Sequence, residues 1–499
     1  MNYVIGIDLG TGSLKGLVMK RTGEVITSAS QSYPVHNPHV GYSEQNPEDW
    51  YQAFLKVMDA LILDFPDLVS HCAGISFSGQ MHTLVILDDK DRVLRPAILW
   101  NDVRTSLESD WINEHYYETL MDITLNRSLE GFTLPKLLWV QKNEPETYRL
   151  ISSILLPKDY LRFRITGTKH MDYSDAAGTL LLDVEKEQWS EPICATFSIP
   201  MAALPELCKS TDTVSMMHAD LRDYFGFTHD VAIYAGGADN ACAALGSGIV
   251  DSEDAMLSIG TSGVFLATED SIVNYDGALH FFNHCIPAYY SMGVTLSAGA
   301  SLSWIKSILA PDADYESFLA EIPQIQPGSD GLLFTPYIMG ERTPFFDASI
   351  RGSFVGLDAM HTRVHFVRSV LEGITYSLKN AYDIMKKHKK TDFKRIISVG
   401  GGAKNKEWLQ IQADVFNLPV ATLEVEEGPA LGAAMLAALG ADWFESVDAC
   451  IKTCVRISET IKPRPVAVAV YRDYYNIYCQ VYASQRDISA QLLKKRTTS

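Results

Sequence analysis

Apolar positions along this chain switch between two periods, and the switching repeats in both halves. Residues 4–8, 15–19 and 25–30 are short apolar or β-branched runs separated by Gly and polar turns, which predict three successive strands of a meander. Residues 47–63 change to helical spacing, with Trp50, Phe54, Val57 and Leu61 on one face, and 72–77 returns as a strand. The second half follows the same order. Residues 255–259 predict a strand, then a tight turn and another strand, and 362–387 a long amphipathic helix carrying Val367, Val370, Leu371, Ile374, Leu378 and Met385. A strand at 395–399 enters three glycines, and a helix from about Lys406 sets Trp408, Ile411 and Val415 on one face. The small-residue run 429–441 is shorter than the roughly 20 apolar residues of a membrane span and predicts a packed helix. The tail from Tyr471 reads as a helix whose basic end, Lys494-Lys495-Arg496, is expected as a solvated terminus. Alternation of this kind argues for α/β architecture in two lobes. No linker of Pro, Gly or Ser marks a border, so the repeat itself places it: an N-terminal lobe over 1–245 and a C-terminal lobe over 246–499.

The two halves share a local device as well. GIDLGTGSLK from Gly6 and LSIGTSGVF from Leu257 each read as strand, Gly-Thr turn, strand, two copies in register. Such a turn calls for glycine, for φ > 0 and close backbone approach. It aims N–H groups and hydroxyls at one point: Gly10, Thr11, Gly12 and Ser13 in one copy, Gly260, Thr261 and Ser262 in the other. That arrangement grips an anion, and nucleotide phosphates are the expected one. Asp8 stands at the end of the first strand, where it would repel phosphate unless a divalent cation lay between; Ser258 takes its place in the second copy.

Composition narrows the partners. With 42 Lys and Arg against 61 Asp and Glu the net charge is −19, which disfavours non-specific binding to nucleic acid or anionic membrane. The chain is read as entering a strand directly after Met1-Asn2, so no signal peptide is expected. Eight scattered cysteines (Cys72, Cys194, Cys208, Cys242, Cys285, Cys450, Cys454, Cys479) form no CxxC pair, and the expectation is a reduced, cytoplasmic protein.

Three further segments carry candidate chemistry. In YAGGADNACAALGSG from Tyr234, Asp239 opens a helix of small residues at the inferred border. It reads as an N-cap or as the carboxylate that accepts a hydroxyl proton in phosphoryl transfer, and the position favours the base. In SFSGQMHTLVILD from Ser76, a strand end presents Gln80, Met81 and His82 as a polar lip able to read hydroxyls, although Met and His also serve as core filler. Trp100, Asn101 and Asp102, followed by Arg104, close another strand with a ring and hydrogen-bonding groups, a mixture that suits a polyol. ISVGGGAKNKEW from Ile397 is either a packing turn or a place where backbone closes on a nucleotide; it matches neither GxGxxG nor the P-loop.

With these residues in hand the chain resembles the FGGY family of carbohydrate kinases nearly end to end. GFTLPKLLWVQKN from Gly131, with Lys136 and Trp139, matches one family signature, and GSFVGLDAMHTRVHFVRSVLE from Gly352 matches the other. SGQMH, VLRPAILWND, LLPKDYLR, DAAGT, GGADN and GERTP are most similar to the xylulokinase branch. Glycerol kinases place an Arg-Glu pair where Gln80-Met81 stands, whereas gluconokinase-like members share the Met-His. Thr83 replaces a usual Gly, Ala238 a usual third Gly, and Gly12-Ser13 reverses the usual order.

The resemblance implies a two-domain actin-like ATPase (ribonuclease H-like) fold with duplicated lobes and an interdomain cleft. It implies Asp239 as base, Met81-His82 as the sugar-contacting pair, with Gln80, Trp100, Asn101, Asp102 and Asn240 around them, and Asp8 acting on Mg²⁺. Gly10–Ser13 and Gly260–Ser262 would hold ATP phosphates, while Gly299, Ser303, Gly401, Gly402 and Asn405 would border the nucleoside. The implied activity is ATP-dependent phosphorylation of D-xylulose, with gluconate, ribulose or a ketohexose as same-class alternatives and a non-transferring ATPase switch as the rival. A homodimer is the family-like assembly.

Overall fold

The computed structural model describes residues 1–497. Its frame is two seven-stranded sheets. The first contains β1 (Tyr3–Leu9), β2 (Ser13–Lys20), β3 (Val25–Ser32), β4 (Cys72–Gly79), β5 (Thr213–Met216), β6 (Ala232–Tyr234) and β7 (Gly237–Ala238). The second contains β8 (Asp254–Ile259), β9 (Gly263–Glu269), β10 (His280–Asn283), β11 (Tyr289–Thr295), β12 (Arg395–Gly400), β13 (Val420–Leu423) and β14 (Ile457–Ile461).

The first sheet runs β5-β6-β4-β1-β2-β3 with β7 also on β4, and the second runs β10-β11-β9-β8-β12-β13-β14. Set side by side, β3-β2-β1-β4-β6 and β11-β9-β8-β12-β13 are one topology twice. Each has an antiparallel meander, then strands parallel to its first. The expected duplication is therefore present in strand order, and the meander strands are where their apolar runs predict.

The helices occupy matching places. α1 (Pro47–Asp64) buries Trp50, Phe54, Val57 and Leu61 on the first sheet, and Asn46 caps it by accepting from the Glu48 N–H. α2 (Asp239–Gly246) follows the first sheet's last parallel strand. α3 (Gly299–Leu309), α4 (Arg363–His388) and α5 (Lys406–Phe416) serve the second sheet, and α7 (Pro465–Thr497) closes the chain. α6 (Gly428–Gly440) is the small-residue run. It packs across the lobes against β1 and α2. A side-chain carbon on Gly6 would lie 2.1 Å from the Ala430 carbonyl, and one on Gly432 only 1.9 Å from that of Cys242. One on Gly246 would sit 2.6 Å from the Gly428 carbonyl. Residues without side chains let three backbones meet there.

Two expectations about the Gly-Thr hairpins are corrected. None of Gly10, Gly12, Gly260 or Gly263 has positive φ. Nor are the turns in register: Leu9 pairs Leu14 around four residues, whereas Ile259 pairs Gly263 around three. What glycine supplies is open space. A carbon added to Gly12 would meet nothing within 4 Å, and one on Gly260 only the Ser262 carbonyl at 3.8 Å.

All eight cysteines are free, and the Cys450 and Cys454 sulfurs lie 4.0 Å apart. Among the described residues no helix is long and apolar enough to cross a membrane.

The junction makes a paired prediction. Gly432→Ala improves helix propensity by about 1 kcal/mol, yet it should destabilise by roughly 2 kcal/mol or more, because backbones must part. Gly12→Ala, in open space, should stay within about 0.5 kcal/mol of wild type. Parallel thermal denaturation decides; a Gly432→Ala variant as stable as wild type contradicts the junction.

Candidate active site

β1, β4 and β7 lie side by side and parallel, so their carboxyl ends share one edge. Open α/β sheets bind ligands at that edge. Asp8 stands across from Ser78 on one side and Lys15 on the other, and Gly237 also faces Ser78, so β7 delivers Asp239 beside Asp8.

Asp239 is the first residue of α2 and does not cap it. Its Oδ1 accepts from the Asn240 N–H at 2.6 Å and Asn240 Nδ2 at 2.9 Å, while no group among the described residues donates to Oδ2. Burial, and secondarily the Asp8 carboxylate, push its pKa up to about 7 against the pull of Asn240. Burial likewise raises Asp8 to about 6, opposed by Ser78 and Lys15, and leaves Asp8 Oδ1 buried without a hydrogen-bond partner. Two neighbouring carboxylates with unpartnered oxygens are a hard-oxygen donor set.

The strand end after β4 carries the lip. His82 has φ of 65°, a left-handed conformation that costs a non-glycine residue about 1 kcal/mol or more. Thr133 Oγ1 and Lys136 Nζ hold it there by donating to the His82 carbonyl at 3.1 and 2.9 Å. Nδ1 lies 2.6 Å from the Gly178 carbonyl, which can only accept, so Nδ1 carries the proton and Nε2 keeps a lone pair. Burial holds its pKa well below the usual histidine value, so the ring is neutral and Nε2 can accept a hydroxyl proton. Met81 is almost fully buried; its Sδ accepts from Asn240 Nδ2 at 3.6 Å and the Tyr290 hydroxyl at 3.7 Å.

Other lip residues are placed differently from expectation. Gln80 is buried, donating to Gln45 Oε1 and accepting from the Thr83 hydroxyl, both at 3.1 Å, so it braces the lip. Thr83 is fully buried and its oxygen also accepts from the Trp100 N–H at 3.2 Å, which turns it away from the cleft. Trp100 Nε1 donates to Thr11 Oγ1 at 2.8 Å, tying the lip to the first hairpin. Asp102 is a correction. Its two oxygens accept from Ser43 N–H, Arg104 N–H and the Arg104 guanidinium, four bonds that fill a carboxylate. Asn101 is exposed and lines another surface hollow, with Tyr42 and Ser43.

A cavity of about 1150 Å³ lies at the carboxyl edge of β8 and β12. Gly260, Thr261, Gly299, Ser303, Gly401, Gly402 and Asn405, all predicted from sequence, line it; Ser262 and the first hairpin do not. Gly299 lets the start of α3 close on the hairpin, since a side chain there would lie 2.3 Å from the Gly260 carbonyl. Gly402 packs on Ile259, and Gly400, at φ of 79°, makes the turn, so the packing reading of the triple glycine holds for these two; Gly401 is exposed to the cavity. Asn405 caps α5 by accepting from the Trp408 N–H at 2.9 Å.

Sequence reasoning missed the apolar wall formed by Leu302, Leu319 and Pro323, which carries no motif. It also missed Arg127 and Arg342. Among the described residues neither has an acidic side chain within ion-pair distance, although Glu130 and Glu341 lie near enough to Arg342 to act on it, and both arginines lie near enough to His280 to lower its pKa, behind burial as the first cause. Arg127 lies 4.7 Å over the Phe346 ring with Nε unpartnered.

Two family models match the chain. Residues 3–246 match the N-terminal domain and 255–441 the C-terminal domain of the FGGY family of carbohydrate kinases. A xylulose kinase of Lactococcus lactis is 51% identical over 99% of both chains. A solved "xyloylose kinase" of Brucella ovis superimposes with a TM-score of 0.92 at 34% identity, covering 97% of this chain and 100% of that one. The gluconate kinase of Lactobacillus acidophilus also reaches 0.92, at 27% identity and covering 97% and 98%. Shape is thus shared between sugars.

Thr83 generates a stability prediction. Thr83→Val keeps the volume but leaves the half-buried Trp100 N–H and the Gln80 Oε1 without the hydroxyl they share, and should cost about 1–3 kcal/mol in denaturant unfolding. A change below about 0.5 kcal/mol contradicts the inward role of that hydroxyl.

Proposed function

The chain belongs to the FGGY family of carbohydrate kinases, and we propose that it transfers the γ-phosphoryl group of ATP to the 5-hydroxyl of D-xylulose. The observation that carries the chemistry is Asp239: a carboxylate at a sheet's carboxyl edge, not used as a cap, with Oδ2 free and its pKa near 7. A base works best when its pKa is near the working pH. Oδ2 takes the proton of the 5-hydroxyl, the sugar oxygen attacks the γ-phosphorus, and the bond to the bridging oxygen of ADP breaks. His82 Nε2 accepts from another hydroxyl of the sugar and sets its orientation. A switch that only hydrolyses ATP needs no such base.

In this reading residues 1–245 supply the base, the lip and the first hairpin, and 246–499 the second hairpin and the nucleoside wall. Gly260, Thr261 and Gly401 receive the nucleotide in the large cavity. Because the first hairpin lies outside that cavity, lobe closure brings Gly10–Ser13 onto the phosphates and excludes water. The orphaned Asp8 Oδ1 fits Mg²⁺, which Asp8 would hold. Bound there, the ion supplies charge neutralisation at the phosphate oxygens.

A sugar acid is the second reading, favoured by one observation: the guanidiniums of Arg127 and Arg342 near the lip, without an ion pair among the described residues. Sequence favours D-xylulose, at 51% identity against 27% for the gluconate kinase.

Asp239→Asn keeps the shape and removes proton acceptance. In a coupled assay with D-xylulose its turnover should fall by roughly 10²–10⁴-fold, with KM for ATP little changed. Turnover within a factor of a few of wild type removes the base.

A further inference from the structure

The most heavily charged part of the interior lies behind the cleft. Lys158 is fully buried, and its Nζ reaches Asp159 Oδ1 at 2.6 Å, Asp172 Oδ1 at 2.7 Å and Asp175 Oδ2 at 2.9 Å, all equally buried. Arg162, buried too, lies 3.2 Å from Asp159 Oδ1. Two cations thus face three carboxylates. Burial first, and then Asp172 and Asp159, push the Asp175 carboxyl well above the usual range despite Lys158. A buried ionic group of this kind gives little net stability. Its contribution lies in what it holds.

Two lines of hydrogen bonds lead from it to the cleft. Asp172 Oδ2 accepts from Ser210 Oγ at 3.1 Å, from the Ser174 N–H at 3.0 Å and from the Ser174 hydroxyl. The Ser174 oxygen accepts in turn from the Ala238 N–H at 2.9 Å, one residue before Asp239. Arg162 grips the same segment by donating to the Ala235 carbonyl. The other line runs through the short helix Tyr173–Ala177. The Gly178 N–H bonds back to the Asp175 carbonyl at 3.0 Å, and the Gly178 carbonyl holds His82 Nδ1 at 2.6 Å. A side-chain carbon on Gly178 would sit 2.9 Å from that nitrogen, so helix and ring are in close contact.

We propose that Lys158, Asp172 and Ser174 are positioning residues for the transfer, fixing Asp239 and His82 at one separation so that the sugar's reacting hydroxyl meets the base. They touch neither sugar nor nucleotide. The cluster's three carboxylates lie within one cation's reach, but the Lys158 ammonium already fills that place. Effective geometry of this sort is worth orders of magnitude in rate, and a small misplacement is costly.

The inference rests on Asp239 acting as the base, and the test separates the two claims. With the full chain, one measures kcat and KM for D-xylulose and ATP, together with ATP hydrolysis without sugar. Ser174→Ala should lower kcat for sugar phosphorylation about tenfold or more, leaving KM for ATP and sugar-independent hydrolysis within about twofold. Ser174→Cys, close in volume and a weaker acceptor, should lose about fivefold and serves if the alanine variant does not fold. Wild-type kcat in a folded variant overturns the proposal. So does an equal loss of sugar-independent hydrolysis, which marks a merely structural role. Asp239→Asn is run beside them: if it loses activity while the Ser174 variants keep wild-type kcat, only the positioning claim fails. If it is active, the base and everything said to position it fail together.

Discussion

Where α6 crosses α2 and β1, no side chain fits between the backbones. Gly432 meets the Cys242 carbonyl, Gly246 meets that of Gly428, and Gly6 meets that of Ala430. Asp239 opens α2, seven residues before Gly246 closes it, so the place of its carboxylate relative to the second lobe is set by this crossing. Asp8 lies on β1, two residues beyond Gly6, and is located by the same contact. Any loosening of the junction would move the two carboxylates and the second-lobe cavity relative to one another. A close-packed contact of small residues tolerates rotation about itself better than separation, which suits the lobe closure proposed above.

Onto that frame the fold loads several costly features, all at one sheet edge. Asp8 has a buried oxygen without a partner, Asp239 keeps one oxygen unpaired, and His82 is held left-handed. Each destabilises the chain alone, and each leaves a reactive or ligand-seeking atom uncommitted. The surrounding groups are by contrast saturated. Gln80, Thr83 and Asp102 direct their hydrogen bonds into the protein, so the lip is rigid where it is not reactive.

Much of the fold was legible because its signals are local. The meander strands, α1 and α4 follow from apolar periodicity, and the duplication from two Gly-Thr turns with Asp8 in only one. Part of the second-lobe cavity was legible for the same reason, since Gly260 and Gly401 sit at glycine-marked turns, whereas Gly299 followed only from the family resemblance. What failed depended on distance in sequence. The ligand of Asp102 includes the Ser43 N–H, 59 residues away, and nothing near Asp102 except Arg104 announces that it is occupied. Gln80 is claimed by Gln45 in the same way, and Lys158 by acids at 172 and 175. The extra residue in the first hairpin was invisible because turn length is fixed by pairing register, which composition does not report.

The central claim is a phosphoryl transfer to one sugar, assembled at an edge whose shape is shared with a gluconate kinase. The most direct measurement is kcat/KM of the purified chain with ATP across D-xylulose, D-ribulose, D-gluconate and glycerol. D-xylulose should lead each of the others by about tenfold or more, a margin within reach of a site that pairs its hydroxyls. A preference for D-gluconate would assign Arg127 and Arg342 to a carboxylate and contradict the D-xylulose reading. Absence of transfer to any of the four would contradict the kinase reading of Asp239 itself.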